Sequence, residues 1–212
     1  MTLQLALDRL TREQCFQVLT ETASNVDWIE AGTGVIKAYG MEIVRELRQA
    51  YPNKTIVADM KTCDAGKHEA VQAFEAGADV TTVMAFSADQ TIKDTVTVAR
   101  QYEKRVMIDL LGVTDRTRLF ELKDMGVNLV SLHFGKDMQT TGAFQADLFS
   151  LIQDISDVEV AVAGGIDLQT LPDIIKQRPE IVIAGSAITK QDNRSEVARQ
   201  MKEVICDYEK HD

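Results

Sequence analysis

The sequence predicts an α/β fold, a single-domain (β/α)8 TIM barrel spanning residues 1–212, and three observations lead there. Eight short apolar runs recur along the chain at regular intervals, each followed by a helical pattern. The runs are nearly continuous in apolar and β-branched residues, the pattern of parallel strands buried on both faces. Eight such units suit a closed barrel, whereas an open doubly wound sheet would more often have fewer strands and an exposed edge.

The predicted strands are Leu3–Leu7, Trp28–Ala31, Thr55–Ala58, Val80–Met84, Val106–Leu110, Leu129–Leu132, Val160–Ala163 and Ile181–Ala184. Helices fill the gaps. Thr11-Arg12-Glu13-Gln14 reads as a capping box, followed by Phe16, Leu19 and Ala23 at helical spacing. A helix from about Gly40 to Tyr51 is expected to stop before Pro52, because the residue before proline avoids the helical region. Two more helices end at Gly77 and Gly126, each just before the next strand. The segments AGADVTTV and MGVNLVSL around those glycines look like one unit used twice. The last helix is expected from about Ser195 to Tyr208, and no linker composition divides the chain.

The net charge of −10 argues against broad binding to nucleic acid or anionic membranes, which needs a basic field. It leaves room for a small anionic substrate at a locally positive site. Cys15, Cys63 and Cys206 are sparse, odd in number and without a CxxC pair. They form neither a disulfide framework nor a zinc site and suit a reducing cytoplasm. The opening MTLQLALDRLTREQ lacks a basic n-region, so no secretory leader is expected, and no apolar run is long enough to span a bilayer.

The chemistry is expected where each apolar run ends. Asp8 ends the first strand, Glu30 the second, and Asp59 the third with Lys61 two residues on. Asp109 lies at the end of the fifth and His133 ends the sixth; Gly164-Gly165 follows the seventh and Gly185-Ser186 the eighth. In a barrel these positions converge on the face that carries the active site. Charge at the end of a buried strand costs free energy unless it is paired or bound. Strand alternation puts Asp59 and Lys61 on one face with Met60 on the other. A lysine beside carboxylates stays protonated and can stabilise an oxyanion. Glu30 and Asp59 are hard oxygen donors on neighbouring strands, suited to magnesium and, on the same grounds, to manganese. His133 can move a proton near neutral pH. The glycines of the two late turns let backbone N–H groups approach a phosphate.

These residues resemble a known family. Asp59-Met60-Lys61-Thr62-Cys63-Asp64 matches DxKxxD, the signature of the orotidine 5'-monophosphate decarboxylase superfamily. LQLALD, IEAGT, ADMKTCDAG, VAGGI and IAGSAIT, spread along the chain, resemble the 3-hexulose-6-phosphate synthase family within it; the 3-keto-L-gulonate-6-phosphate decarboxylases are nearly as similar. The resemblance implies magnesium on Glu30 and Asp59, and Lys61 on an enediolate. It implies Asp64 reaching into a neighbouring subunit's site, hence a homodimer with shared sites. Asp8, Asp109 and His133 would contact substrate or move protons, and Gly164, Gly165, Gly185 and Ser186 would hold a sugar phosphate. The implied reaction is a reversible, metal-dependent aldol addition of formaldehyde to ribulose 5-phosphate.

Asp109, Phe134-Gly135 and Ser186 resemble the synthases, where the decarboxylases tend to have glutamate, a basic residue after the histidine, and a phosphate-binding arginine. Lys136 falls where the decarboxylases carry an arginine. An epimerase or isomerase acting on the same phosphates is a further alternative. A non-catalytic sugar-phosphate-binding barrel is the alternative of another class, but every charged position of the constellation is filled by a chemically competent residue.

Overall fold

The computed structural model describes residues 1–135, 137–138, 146–153 and 155–211. The strands are β1 (Thr2–Leu7), β2 (Trp28–Ala31), β3 (Thr55–Thr62), β4 (Val80–Met84), β5 (Arg105–Asp109), β6 (Leu129–His133), β7 (Glu159–Ala163) and β8 (Ile181–Ala184). The helices among the described residues are α1 (Arg12–Thr22), α2 (Thr33–Tyr39), α3 (Glu42–Ala50), α4 (Gly66–Glu75), α5 (Asp89–Gln101), α6 (Thr117–Asp124), α7 (Leu171–Ile175), α8 (Ser186–Thr189) and α9 (Arg194–His211), with a 3-10 turn at Ala146–Leu151. The strands pair in chain order, all parallel, and β8 closes on β1 with Thr2 opposite Ile181 and Leu5 opposite Ala184. The fold is a closed (β/α)8 barrel.

Both faces of the sheet are buried, which is why the strands read as continuous apolar runs. One face packs outward against the helices: Leu3, Leu5, Leu7, Ile29, Ile56, Val130, Leu132, Val162 and Val182 belong to that cluster. The other fills the barrel with Ala6, Trp28, Val57, Val80, Met107, Leu129, Ala161, Ala163, Ile181 and Ile183. Side chains alternate along a strand, so the inner set fixes a phase. Stepping by two toward the C-terminal end leads from Ala6 to Asp8, from Trp28 to Glu30, from Val57 to Asp59, from Val80 to Thr82 and from Met107 to Asp109. Four residues on from Leu129 lies His133. The apolar plug of the barrel and the charged rim are therefore one continuous inward face.

Local signals account for the boundaries. Thr11 Oγ1 accepts from the Gln14 N–H at 3.2 Å while Gln14 Oε1 accepts from the Thr11 N–H at 2.9 Å, a complete capping box before α1. Gly77 and Gly126 both take positive φ, 103° and 86°, after α4 and α6. At the opposite, N-terminal end of the barrel, Asp79 accepts from the Ile56 N–H at 2.9 Å and from Lys104 Nζ at 2.6 Å, and pairs with Arg48. No described helix is long and apolar enough to cross a membrane.

β1, β5, β6 and β7 differ from their expected bounds by one residue at one or both ends, and three differences are larger. The helix expected from about Gly40 to Tyr51 is α3, Glu42–Ala50; a separate helix that was not expected, α2, precedes it and ends at Gly40, where φ is 63°. α9 extends beyond its expected bounds at both ends. β3 runs four residues past Ala58, because Asp59 and Lys61 neutralise each other inside the strand instead of ending it.

Candidate active site

The C-terminal rim carries a connected chain of charges. Lys61 Nζ lies 2.9 and 2.8 Å from the two carboxylate oxygens of Asp59 and 2.9 Å from Asp109 Oδ2. The same Asp109 oxygen faces His133 Nδ1 at 2.8 Å, and its other oxygen accepts from the Leu111 N–H at 2.9 Å. Asp59 is further held by Thr82 Oγ1 at 2.8 Å and Thr33 Oγ1 at 2.8 Å. Glu30, 7% exposed, accepts from Gln4 Nε2 at 2.6 Å.

Regular alternation does not produce this arrangement. The β3–β4 register pairs Ala58 with Thr81 and Thr62 with Val83, so Asp59, Met60 and Lys61 face a single residue, Thr82. This is a bulge, which bends the strand and re-aims a side chain. Lys61 adopts φ 47° there, a conformation that costs a non-glycine residue about 1–3 kcal/mol unless its surroundings enforce it. The distortion turns its ammonium back over Asp59 and across to Asp109.

Burial and charge set the protonation states. Burial works against the Lys61 ammonium, but Asp59 and Asp109 outweigh it and hold the pKa above the ordinary lysine value. Burial alone would raise Asp109; the hydrogen bond and charge of His133, with Lys61, reverse this and bring it down to about 2. Asp109 is therefore an acceptor at neutral pH, so the proton between it and His133 sits on Nδ1 and leaves Nε2 free in the neutral ring. Burial, and after it the charge of Asp59, push Glu30 up to about 8.

Glu30 and Asp59 fit a hard divalent cation. Both donors are carboxylates, Glu30 is buried beside a second negative charge, and the nearby Gln4 Oε1 is buried without a hydrogen-bond partner. A cation would relieve the first strain and supply positive charge near the second. Among the described residues no cluster of three His, Cys, Asp or Glu side chains forms a closed cage. Two carboxylates leave the other positions to water and substrate oxygens, as magnesium prefers.

Asp8 lies on the same rim, where its Oδ1 accepts from the Gly34 N–H at 2.9 Å and its Oδ2 is 3.2 Å from Arg9 Nε. A side chain at Gly34 would strike that carboxylate, since its Cβ would lie 2.6 Å from Oδ1. Gly164 and Gly165 follow β7 with φ of 109° and 70°, and a Cβ on Gly164 would sit 2.1 Å from the Phe134 carbonyl oxygen. Gly185 is less crowded, its nearest contact being 3.6 Å away; it leads into Ser186, the first residue of α8. Asp64 stands apart. It is exposed and makes no hydrogen bond or ion pair among the described residues. Lys136 lies outside the described residues.

Gln4 and Thr82 are uncharged polar residues inside apolar runs, where they look like strand formers, and Thr33 lies just beyond such a run. The phase of the inner face marks Gln4 and Thr82: Gln4 precedes Ala6 by two, and Thr82 follows Val80 by two. Thr33 follows the glycine after β2 and carries no such mark.

The model of the "Orotidine 5'-phosphate decarboxylase / HUMPS family" matches residues 1–201. A 3-hexulose-6-phosphate synthase of Bacillus subtilis is 36% identical over 207 residues, covering 97% of this chain and 99% of that protein. The crystal structure of 3-hexulose-6-phosphate synthase from Salmonella typhimurium superposes with a TM-score of 0.96 at 33% identity, covering 98% of this chain and 100% of that one. A 3-keto-L-gulonate-6-phosphate decarboxylase from Vibrio cholerae superposes with a TM-score of 0.88 at 30% identity, covering 98% of each chain. With its barrel, its DxKxxD bulge and these full-length matches, the chain belongs to the orotidine 5'-phosphate decarboxylase / HUMPS family.

Proposed function

We propose that this chain is a 3-hexulose-6-phosphate synthase, an aldehyde-lyase that joins formaldehyde to ribulose 5-phosphate through an enediolate. The observation that carries the reading is the Asp59–Lys61–Asp109–His133 chain at the barrel mouth. Synthases among the full-length relatives support it. Asp109, Phe134-Gly135 and Ser186 point to the same branch.

His133 Nε2 takes a proton from C1 of ribulose 5-phosphate, next to the C2 carbonyl. Asp109, about 2 in pKa, is too weak a base for this task, and it fixes the imidazole ring instead. Asp8 is occupied by Gly34 and Arg9 and contacts substrate. Charge develops on the C2 oxygen, where the Lys61 ammonium stabilises it. C1 of the enediolate then attacks the formaldehyde carbon, the new alkoxide takes up a proton, and the product is 3-hexulose 6-phosphate. Glu30 and Asp59 would hold magnesium, or manganese, which when bound neutralises charge on the substrate's oxygens. The turns at Gly164, Gly165, Gly185 and Ser186 bind the phosphate. Exposed Asp64 completes the site of a second copy in a homodimer.

A similar enediolate, of different configuration along the chain, follows loss of carbon dioxide from 3-keto-L-gulonate 6-phosphate, and the likeness to the Vibrio cholerae decarboxylase favours this as the second reading. The test is consumption of ribulose 5-phosphate with and without formaldehyde, in magnesium and then in chelator, beside carbon dioxide release from the keto acid. Formaldehyde- and metal-dependent consumption exceeding decarboxylation is expected; dominant carbon dioxide release would replace the synthase with the decarboxylase.

A further inference from the structure

Across from the three-residue bulge Asp59-Met60-Lys61, β4 presents one residue, Thr82, which is 4% exposed. The bulge takes the Lys61 N–H out of the ladder, and a buried N–H without an acceptor is costly. Thr82 Oγ1 accepts it at 2.9 Å and donates its own hydrogen to Asp59 Oδ1 at 2.8 Å. One hydroxyl thus grips the backbone of the lysine and the carboxylate that the same lysine's ammonium touches. Further bonds hold the downstream end, where the Thr62 carbonyl accepts from Ser87 Oγ at 3.1 Å and the Thr62 hydroxyl pairs with Glu69. At the level of Lys61 itself, Thr82 supplies the clamp from β4.

We infer that Thr82 is a positioning residue for the reaction: its hydroxyl holds Lys61 in its left-handed conformation and aims the ammonium between Asp59 and Asp109. It contacts none of the reacting atoms and acts through Lys61. A serine keeps the hydroxyl and an isosteric valine removes only that. The inference rests on the reading of Lys61 as the group that stabilises the enediolate oxygen.

The experiment compares Thr82→Val and Thr82→Ser with wild type, using ribulose 5-phosphate plus formaldehyde and 3-keto-L-gulonate 6-phosphate. On whichever substrate wild type turns over, Thr82→Val should lower kcat about tenfold or more, the scale of a misdirected oxyanion stabiliser, and leave KM within about threefold. Thr82→Ser should restore kcat. In a Lys61→Ala background Thr82→Val should cost less than about twofold further, because residues that act as one unit are not additive. Full additivity, or a wild-type kcat in folded Thr82→Val, overturns the inference; Thr82→Ala serves if the valine variant does not fold. A second readout needs no turnover. The NMR signal of the Lys61 side-chain ammonium, identified by its loss in Lys61→Met, should persist in Thr82→Ser and broaden or shift in Thr82→Val. An unchanged signal overturns the inference, whereas wild-type inactivity on both substrates rejects the proposed activity and leaves this readout to decide on Thr82.

Discussion

Lys61 Nζ lies 2.9 Å from Asp109 Oδ2, the oxygen that also faces His133 Nδ1 at 2.8 Å. One carboxylate oxygen therefore orients both the cation proposed to stabilise the enediolate and the base proposed to form it. Lys61 reaches Asp109 across 48 residues of chain, from β3 to β5, over the intervening Thr82 of β4. The coupling is a product of barrel closure and of the bulge in β3.

Removing the cation should remove the rate. Lys61→Ala is expected to lower kcat about 100-fold or more, the loss seen when one oxyanion stabiliser is deleted. Steady-state kinetics on the folded variant check this; a rate near wild type would take Lys61 out of the mechanism.

Asp109 predicts an acid-sensitive contribution to stability. Its folded pKa of about 2 lies below the ordinary 3.8, so the contribution is fully present above about pH 4 and is lost as the pH falls toward 2. The shift corresponds to about 2 kcal/mol. Urea unfolding of wild type and Asp109→Asn should show a gap that narrows across that window. A constant gap would mean that the carboxylate gains nothing from Lys61 and His133 in the fold.

Glu30 predicts metal-linked stability. Its pKa of about 8 means that at neutral pH a cation must displace a proton to reach the ionised carboxylate. Magnesium should raise the melting temperature more strongly as pH rises through about 8, by an amount worth about 3 kcal/mol at a hundredfold excess over Kd. Glu30→Gln should lose most of this response. Equal responses in the two proteins would place the metal elsewhere.

Asp64 predicts complementation between subunits. Asp64→Asn and Lys61→Ala should each be nearly inactive alone, yet hybrid dimers formed by exchange should contain one intact site each. Random mixing then restores about a quarter of wild-type activity. No recovery despite demonstrated exchange would confine Asp64 to its own subunit.

Much of the architecture is legible in the sequence because burial on both faces writes each strand as an apolar run. β2, β4 and β8 begin and end where those runs do. The run rule fails at β3, since it treats a charge as the end of a buried strand, and Asp59 with Lys61 escapes the cost by internal pairing. Charged candidates were visible as interruptions of apolar runs, and the structure joins Asp59, Lys61, Asp109 and His133 in one network with Glu30 close enough to feel Asp59. The left-handed turn of Lys61 was not visible. It depends on a register shift against β4, a relation between strands that no local pattern in β3 contains. Thr82 escaped for the same reason, although it occupies the position that Ser131 holds in the second copy of the repeated unit.

The most direct test of the central claim is a proton NMR time course of ribulose 5-phosphate with the enzyme and magnesium in D2O, with 13C-formaldehyde added midway. One C1 proton should exchange for deuterium before the addition, and afterwards the label should appear in the new hydroxymethyl carbon of a 3-hexulose 6-phosphate. Neither exchange nor label incorporation, from folded and metal-loaded protein, would contradict enediolate formation at this site.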